Sequence, residues 1–373
     1  MFFSITKIPK SNNLSLVMKI SSLKKLVTDL MAIDLGTAST IIAVKGRDIV
    51  LDEPSYIAVN ELTGEIVAYG QEAYDLIGRE GRDIIVIAPL SGGVVADFEK
   101  TKKMLAHFVK KSKSGGSQVS TQAVMSMTSD VTHVEQRALM NAAEEAHIGK
   151  VYVMEEGLAA AFGAGVSPKD KRASAIVDIG AGTTNIAIVA KGTVIHSTSE
   201  RIGSQEINVA ISTHIRRHRG LQVGEETVEN IKTDFVSAYL PEDIDKPKMV
   251  RGRDVQTGSP GAVEITAGEI YPVVEGIVRR VAQLVSDTLT ELRPEVAADI
   301  YDRGIILTGG GSLLNGLDQY IRNFVNLPVI IADEPRYATV RGLLKMFDEP
   351  ELLERVSRNE LSLLQNAEIP FEA

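Results

Sequence analysis

The chain predicts an α/β fold in two related halves, on the strength of three glycine-bearing strand ends. These are DLGTAST from Asp34 to Thr40, DIGAGTTN from Asp178 to Asn185, and the run Gly309, Gly310, Gly311 inside RGIILTGGGSLLNGLDQYI. The first two follow short apolar runs, Met31 to Ile33 and Ala173 to Val177, and precede β-branched residues (Ile41, Ile42, Val44; Ile186, Ile188, Val189). That pattern reads as strand, tight turn, strand. The third lies between an apolar strand and a helix whose expected N-cap is Ser312 or Asn315. A single D-x-G-T is an ordinary β-turn; three such ends in order point to one shared ligand.

The residue types say what that ligand is. Glycine turns let backbone N–H groups approach a phosphate with no Cβ in the way, and threonine hydroxyls add donors. Gly36, Thr37 and Ala38 in the first loop, and Gly180, Gly182, Thr183 and Thr184 in the second, are therefore the candidate phosphate contacts. A carboxylate does not usefully face a phosphate, so Asp34 and Asp178 are read as partners of a hydrated Mg²⁺, held through its waters. Two such loops suggest two halves gripping one triphosphate, with Gly309 to Gly311 letting a flat group lie against the backbone.

Composition narrows the class independently. At 373 residues and 44% hydrophobic, the chain can bury a large core and form two domains. It has no cysteine, hence neither disulfides nor thiolate metal sites, which suits a reducing cytosol. A net charge of −9 argues against nucleic acid as a partner. No apolar stretch approaches the roughly 20 residues that span a bilayer.

Residues 1–30 depart from the acidic balance, with five lysines (Lys7, Lys10, Lys19, Lys24, Lys25) against Asp29. Ile20, Leu23, Leu26, Val27 and Leu30 fall at helical spacing, with Lys24, Lys25 and Thr28 off that stripe. Such a basic amphipathic helix can lie in an anionic membrane surface. Asn12, Asn13 and Lys19 interrupt any secretory apolar region, and Met18 is an alternative start. Strands are expected from about Met31, a turn at Thr63-Gly64, and a short helix closed by Gly78. Asp97 to Lys111 reads as an amphipathic helix with Phe98, Met104, Leu105, Phe108 and Val109 inward, followed by the polar loop KSKSGGSQVSTQ. After the strand AVMSM, Asp130 or Thr132 can cap a helix carrying Glu135 in its first turns. Glu225, Glu229 and Lys232 stand about one turn apart on a polar helix, and His214 and His218 have the spacing of a metal pair without an apparent third ligand.

Several stretches resemble the MreB family of the actin-like ATPase superfamily: MAIDLGTASTIIAVKGRDIVLDEPSYIAV, PLSGGVVADFEKTKKMLAHFVKK, HVEQRALMNAAEEA, AIVDIGAGTTNIAIV, RGRDVQTGSPGAVEIT and DRGIILTGGGSLLNGLD. The resemblance runs from about Met31 to Phe347. It implies two related domains with mixed β-sheets flanked by helices around a central nucleotide cleft. On this reading residues 1–30 are an extension, 31–157 domain I, 158–335 domain II, 336–347 a crossover helix returning to domain I, and 348–373 a tail. Glu155 to Gly165 is similar to the other crossover helix, where small residues permit hinge motion. The resemblance also implies ATP and Mg²⁺ as cofactors. Glu135 would orient the water that attacks the γ-phosphate, with Thr183 assisting. Glu225, Glu229 and Lys232 would lie near the adenosine.

The same resemblance implies self-assembly into paired protofilaments, attachment to the inner face of the cytoplasmic membrane by the N-terminal helix, and cell-wall synthesis or shape proteins as partners. Many relatives touch membrane with apolar residues in the loop after Lys111; this chain has none there. Other departures are Gly157 where the family usually has proline, expected to loosen the helix start, Ser204 and Gln205 after RIG, MTSD before the Glu135 helix, and Ala88 in place of arginine. They leave both phosphate loops intact and leave open a specialised filament such as MamK, or a monomeric ATP-dependent regulator. No sugar-kinase signature is present, and about 26 residues after Phe347 are too few for a chaperone's peptide-binding region.

Overall fold

Continuous apolar runs become the inner strands of two five-stranded sheets, because strands covered on both faces need no polar alternation. The computed structural model describes residues 28–113, 120–129, 131–240 and 242–365. The first half holds β1 (Thr28–Leu35), β2 (Ser39–Val44), β3 (Asp48–Pro54), β4 (Ile57–Asn60), β5 (Ile66–Tyr69), α1 (Gln71–Tyr74), β6 (Ile84–Ile87), β7 (Leu90–Ser91), β8 (Val94–Val95), α2 (Phe98–Ser112), β9 (Ser120–Met127), α3 (His133–Glu145) and β10 (Lys150–Glu155). Helix α4 (Glu156–Gly163) leads out of it. The second half holds β11 (Ser174–Ile179), β12 (Thr184–Ala190), β13 (Thr193–Glu200), α5 (Ser204–Arg219), β14 (Leu221–Gln222), α6 (Glu225–Phe235), β15 (Pro247–Asp254), β16 (Pro260–Thr266), α7 (Ala267–Thr290), α8 (Pro294–Arg303), β17 (Ile305–Thr308), α9 (Leu317–Val325) and β18 (Val329–Ile331). Helices α10 (Ala338–Lys345) and α11 (Pro350–Gln365) close the described chain.

The two large sheets repeat one topology. In order β10-β9-β1-β2-β3, strands β10, β9 and β1 run parallel and β2 and β3 are antiparallel. In order β18-β17-β11-β12-β13, the same sequence of pairings recurs. The hairpins β1–β2 and β11–β12 therefore occupy equivalent places, which bears out the two related halves. Each half adds a three-stranded sheet, β5-β4-β6 in the first and β14-β15-β16 in the second.

Between the large sheets lie α4 and α10, packed against each other. Leu158 to Phe162, Val340 and Leu343 join strand residues of both large sheets, among them Ala32 and Ile176, in one core there. The contact is closer than side chains allow: a Cβ on Gly163 would collide with the Ala338 carbonyl, and one on Gly342 with the Ala159 carbonyl. Gly157 is likewise buried against the Ala187 methyl group. Close seating on β12 is what this glycine provides.

Several expectations are revised. Thr28 to Leu30, read as the end of the basic helix, belong to β1, where they pair in register with Ser120 to Gln122 of β9; residues 1–27 lie outside the described residues. Helix α1 is a single turn, with Gly78 at φ +73° after further turns. Thr121 and Gln122, placed in the polar loop, pair within β9. The helix after the three glycines starts at Leu317 with Gly316 as N-cap, because the Asn315 carbonyl is taken by the Ala238 N–H and Gly310–Leu313 form a separate 3₁₀ turn. The expected tail contains α11, which buries Leu353 and Val356 beside β10 and accepts the Val153 N–H on the Ser357 hydroxyl at 3.3 Å.

The glycine contact between α4 and α10 sets the spacing of the halves. Gly342→Ala is expected to cost about 1–3 kcal/mol by overpacking. Gly276→Ala on α7, where a Cβ meets open space, should instead stabilise by about 0.5–1 kcal/mol. Calorimetric melting of the two variants checks the opposite signs.

Candidate nucleotide site

The two hairpin loops face each other where the halves meet. In the first, the Gly36 N–H closes on the Ser39 carbonyl at 3.1 Å. In the second, the Gly180 N–H closes on the Thr183 carbonyl at 2.8 Å. The loops touch: a Cβ on Gly182 would lie 2.8 Å from Thr37 Oγ1 and 3.0 Å from Gly92 Cα. Only a bare backbone at Gly182 permits that approach.

A third strand end completes the junction. Gly93, at φ +78° between β7 and β8, donates its N–H to Thr37 Oγ1 at 2.8 Å. Reading the sequence did not single out this Ser91-Gly92-Gly93 turn as part of the site, although its paired glycines were a visible signal. The second loop is buttressed from behind, because the Ser204 and Gln205 N–H groups donate to the Gly180 and Ala181 carbonyls at 3.0 and 2.9 Å. The residues flagged as departures thus hold the loop through their backbones.

A cleft open to solvent brings together Asp34, Gly36, Thr37, Gly180, Gly182, Thr183 and Glu135. Asp178 lies buried beneath it, its Oδ1 accepting the Thr308 hydroxyl at 2.6 Å. Other predicted residues stand elsewhere. Thr184 is fully buried and donates its hydroxyl to the Ile202 carbonyl at 2.7 Å, so it braces the loop. Ala38 is exposed and offers its carbonyl to the Ser55 N–H. Gly309 and Gly311 press against Ile179, the strand end before the second loop, while Gly310 lies beside Arg336. On α6, Glu229 accepts from Lys232 Nζ at 2.8 Å and from Asn208 Nδ2 at 2.7 Å, and Glu225 accepts from Tyr56. His214 bonds Glu269 at 2.9 Å beside the His218 ring.

Glu135 sits where the cap chemistry requires. Thr132 is the N-cap of α3, the other candidate Asp130 lying outside the described residues, and Glu135 Oε2 accepts from the Thr132 N–H at 2.8 Å and its hydroxyl at 2.7 Å. This capping box holds the carboxylate at the rim of the cleft.

The unforeseen member is Glu156, the first residue of α4. It lines the cleft, accepts from Asn185 Nδ2 at 3.0 Å and shares a hydrogen bond with Asp178. Burial, and then the charges of Asp178 and Asp34, push Glu156 well above the usual carboxylate range. Burial pushes Asp34 up to about 7, with the Ser126 hydroxyl at 2.9 Å opposing and Asp178 adding to it. Burial likewise pushes Asp178 up to about 6, against its bonds to Thr308 and Glu156. Neither lysine nor arginine is among the groups that set these shifts. Three crowded carboxylates without a neutralising side chain fit a divalent cation. Among the described residues no three acidic or histidine side chains converge as direct metal ligands. A cation here would have to be a hydrated ion, with Asp34 and Asp178 as candidates to bond its waters.

The raised acids make stability depend on pH. Their folded values lie above the ordinary 3.8, so their contribution is complete below about pH 4 and is lost as pH rises through about 6 and 7. Without nucleotide or divalent cation, the melting temperature should fall from about pH 5.5 to about pH 7.5, and Asp34→Asn should flatten that fall by about 2 °C or more. An unchanged slope in the variant would remove Asp34 as its source.

The profile of the MreB/Mbl protein family matches residues 28–355. The cell shape-determining protein Mbl of Bacillus subtilis (strain 168) is 37% identical over 323 residues, covering 87% of this chain and 97% of the relative. The cell shape-determining protein MreB of Escherichia coli (strain K12) is 37% identical over 326 residues, covering 85% and 94%. Among solved structures, MreB 5 of Spiroplasma citri bound to AMPPNP aligns with a TM-score of 0.81 at 30% identity, over 88% of this chain and 98% of that one. The MamK double helical filament aligns at 0.72 and 22% identity, over 86% and 99%, a likeness of fold. With its duplicated sheets, facing hairpin loops and family match over residues 28–355, the chain belongs to the MreB/Mbl family and has the actin-like fold.

Proposed function

We propose that this chain is an ATP-binding and ATP-hydrolysing filament protein that assembles on the inner face of the cytoplasmic membrane and organises cell shape and cell-wall synthesis. The observation that carries the nucleotide reading is the junction of the two hairpin loops over buried acids, with Gly182 against Thr37 and Asp178 beneath. The S. citri relative's structures with AMPPNP and with ADP support it. The names of the Mbl and MreB relatives support a role in cell shape, and the MamK filament shares the fold.

The chemistry follows from the residues. Backbone N–H groups of Thr37 and Gly182 and the Thr183 hydroxyl are available to phosphate oxygens, whereas the Gly36 and Gly180 N–H groups are taken up in closing their own turns. Mg²⁺, when bound, would screen the phosphates and neutralise Asp34, Asp178 and Glu156. Glu135, held by Thr132 at the cleft rim, accepts from the attacking water and orients it; little more is needed, because phosphoryl transfer depends on position and charge.

Three measurements test this reading. With Mg²⁺-ATP the intact chain should sediment as polymer, and a monomer under all conditions would overturn the filament. Asp34→Ala should weaken Mg²⁺-ATP binding, and unchanged affinity and turnover would remove Asp34 from the site. Glu135→Ala should still bind and assemble while releasing phosphate about 100-fold more slowly; release at the unmutated rate would sink the assignment.

The membrane contact is proposed from the lysines and apolar stripe of residues 7–27. Among the described residues no helix is long and apolar enough to cross a membrane. A truncation ending at Val27 spares β1. It should abolish flotation with anionic liposomes and leave ATP binding intact, and salt should weaken binding by the intact chain. Equal flotation of both forms would place the contact elsewhere.

A further inference from the structure

Tyr56 lies in the first half and Glu225 opens α6 in the second, yet the Tyr56 hydroxyl donates to Glu225 Oε1 at 2.7 Å. The residue before Tyr56 is tied to the first phosphate loop. Ser55 is fully buried, donates its N–H to the Ala38 carbonyl at 2.9 Å, and donates its hydroxyl to the Gly36 carbonyl at 2.8 Å. An unbroken chain of bonds therefore runs from Gly36 through Ser55 and Tyr56 to α6. The Tyr74 ring packs edge-on to Tyr56 with centroids 5.3 Å apart and restricts its swing. The other bridge here, Arg79 to Glu226 at 3.5 Å, is more than two-thirds exposed on both sides, so screening leaves it little weight.

We propose that Tyr56 and Glu225 form a clasp between the two halves that retains bound nucleotide, with Ser55 relaying the state of the first phosphate loop to α6. The proposal deepens the nucleotide reading and rests on it. Tyr56 is a positioning residue: it acts on the nucleotide through α6 and through the loop. The phenol is required because it alone carries the donated proton, and burial together with Glu225 keeps that proton in place. The glycine-seated pair α4 and α10 provides the pivot about which the halves separate.

The test uses the full chain and two readouts. Fluorescent ADP release reports retention. Spin labels on a Leu62→Cys and Asp234→Cys pair report the separation of the halves without nucleotide, and no native cysteine interferes. Tyr56→Phe and Glu225→Ala should each speed release about tenfold, the value of a charge-assisted hydrogen bond, and broaden the distance distribution. Glu225→Gln, whose amide oxygen still accepts but carries no charge, should speed release less than Glu225→Ala does. The double variant Tyr56→Phe with Glu225→Ala should be no worse than either alone, as expected for one shared contact. Additive effects in the double variant, or unchanged release and unchanged distances in both single variants, overturn the clasp. If the unmutated chain takes up no fluorescent nucleotide, the nucleotide reading fails, and the label distances alone decide whether the clasp holds the halves.

Discussion

Everything at the candidate site depends on how closely two helices approach. Helices α4 and α10 meet backbone to backbone at Gly163 and Gly342, each against a carbonyl of the other helix. Were they separated by ordinary side chains, the sheets they carry would stand farther apart, and Gly182 could not lie against Thr37 and Gly92. The junction of the phosphate loops is therefore a remote result of two missing Cβ atoms. Because the packed helices are buried among Leu158, Phe162, Val340 and Leu343, small rotations there translate into larger movements at the cleft.

That closeness has an electrostatic cost. Asp34, Asp178 and Glu156 come from both halves and from the helix between them, and folding forces them into one buried patch. Such an arrangement opposes folding unless a proton or a cation joins it. The hydroxyls of Ser126 and Thr308 and the Asn185 amide relieve part of the repulsion. A folded state relieved by its ligand is expected to be tightened by that ligand, which links site occupancy to rigidity.

Local chemistry was legible in the sequence, and long-range pairing was not. The hairpin loops could be read because turn, acid and threonine lie within seven residues, and Glu135 because capping is a three-residue interaction. Glu156 escaped notice because its role is set by Asp178 and Asn185, which the chain reaches only after a full helix and strand. Ser312 and Asn315 were plausible caps until Ser237 and Ala238 paired with Asn315. Helical spacing carried the N-terminal reading three residues too far, since Leu30 fits a helix stripe and a strand equally well. Helix α11 had a signal in Leu353 and Val356 that the reading of a tail passed over.

The placement of β1 has a mechanical meaning. It is the middle strand of its sheet, bonded to β9 from Thr28 to Ile33 and to β2 from Met31 to Leu35. A pull transmitted through the residues ahead of Thr28 would run along the strand axis, loading both ladders in shear, so that many hydrogen bonds share the force rather than opening one after another. Asp34 sits at the far end of that strand. An anchor attached ahead of β1 is thus in series with the first hairpin loop, and the two ladders take up most of the load before it reaches Asp34.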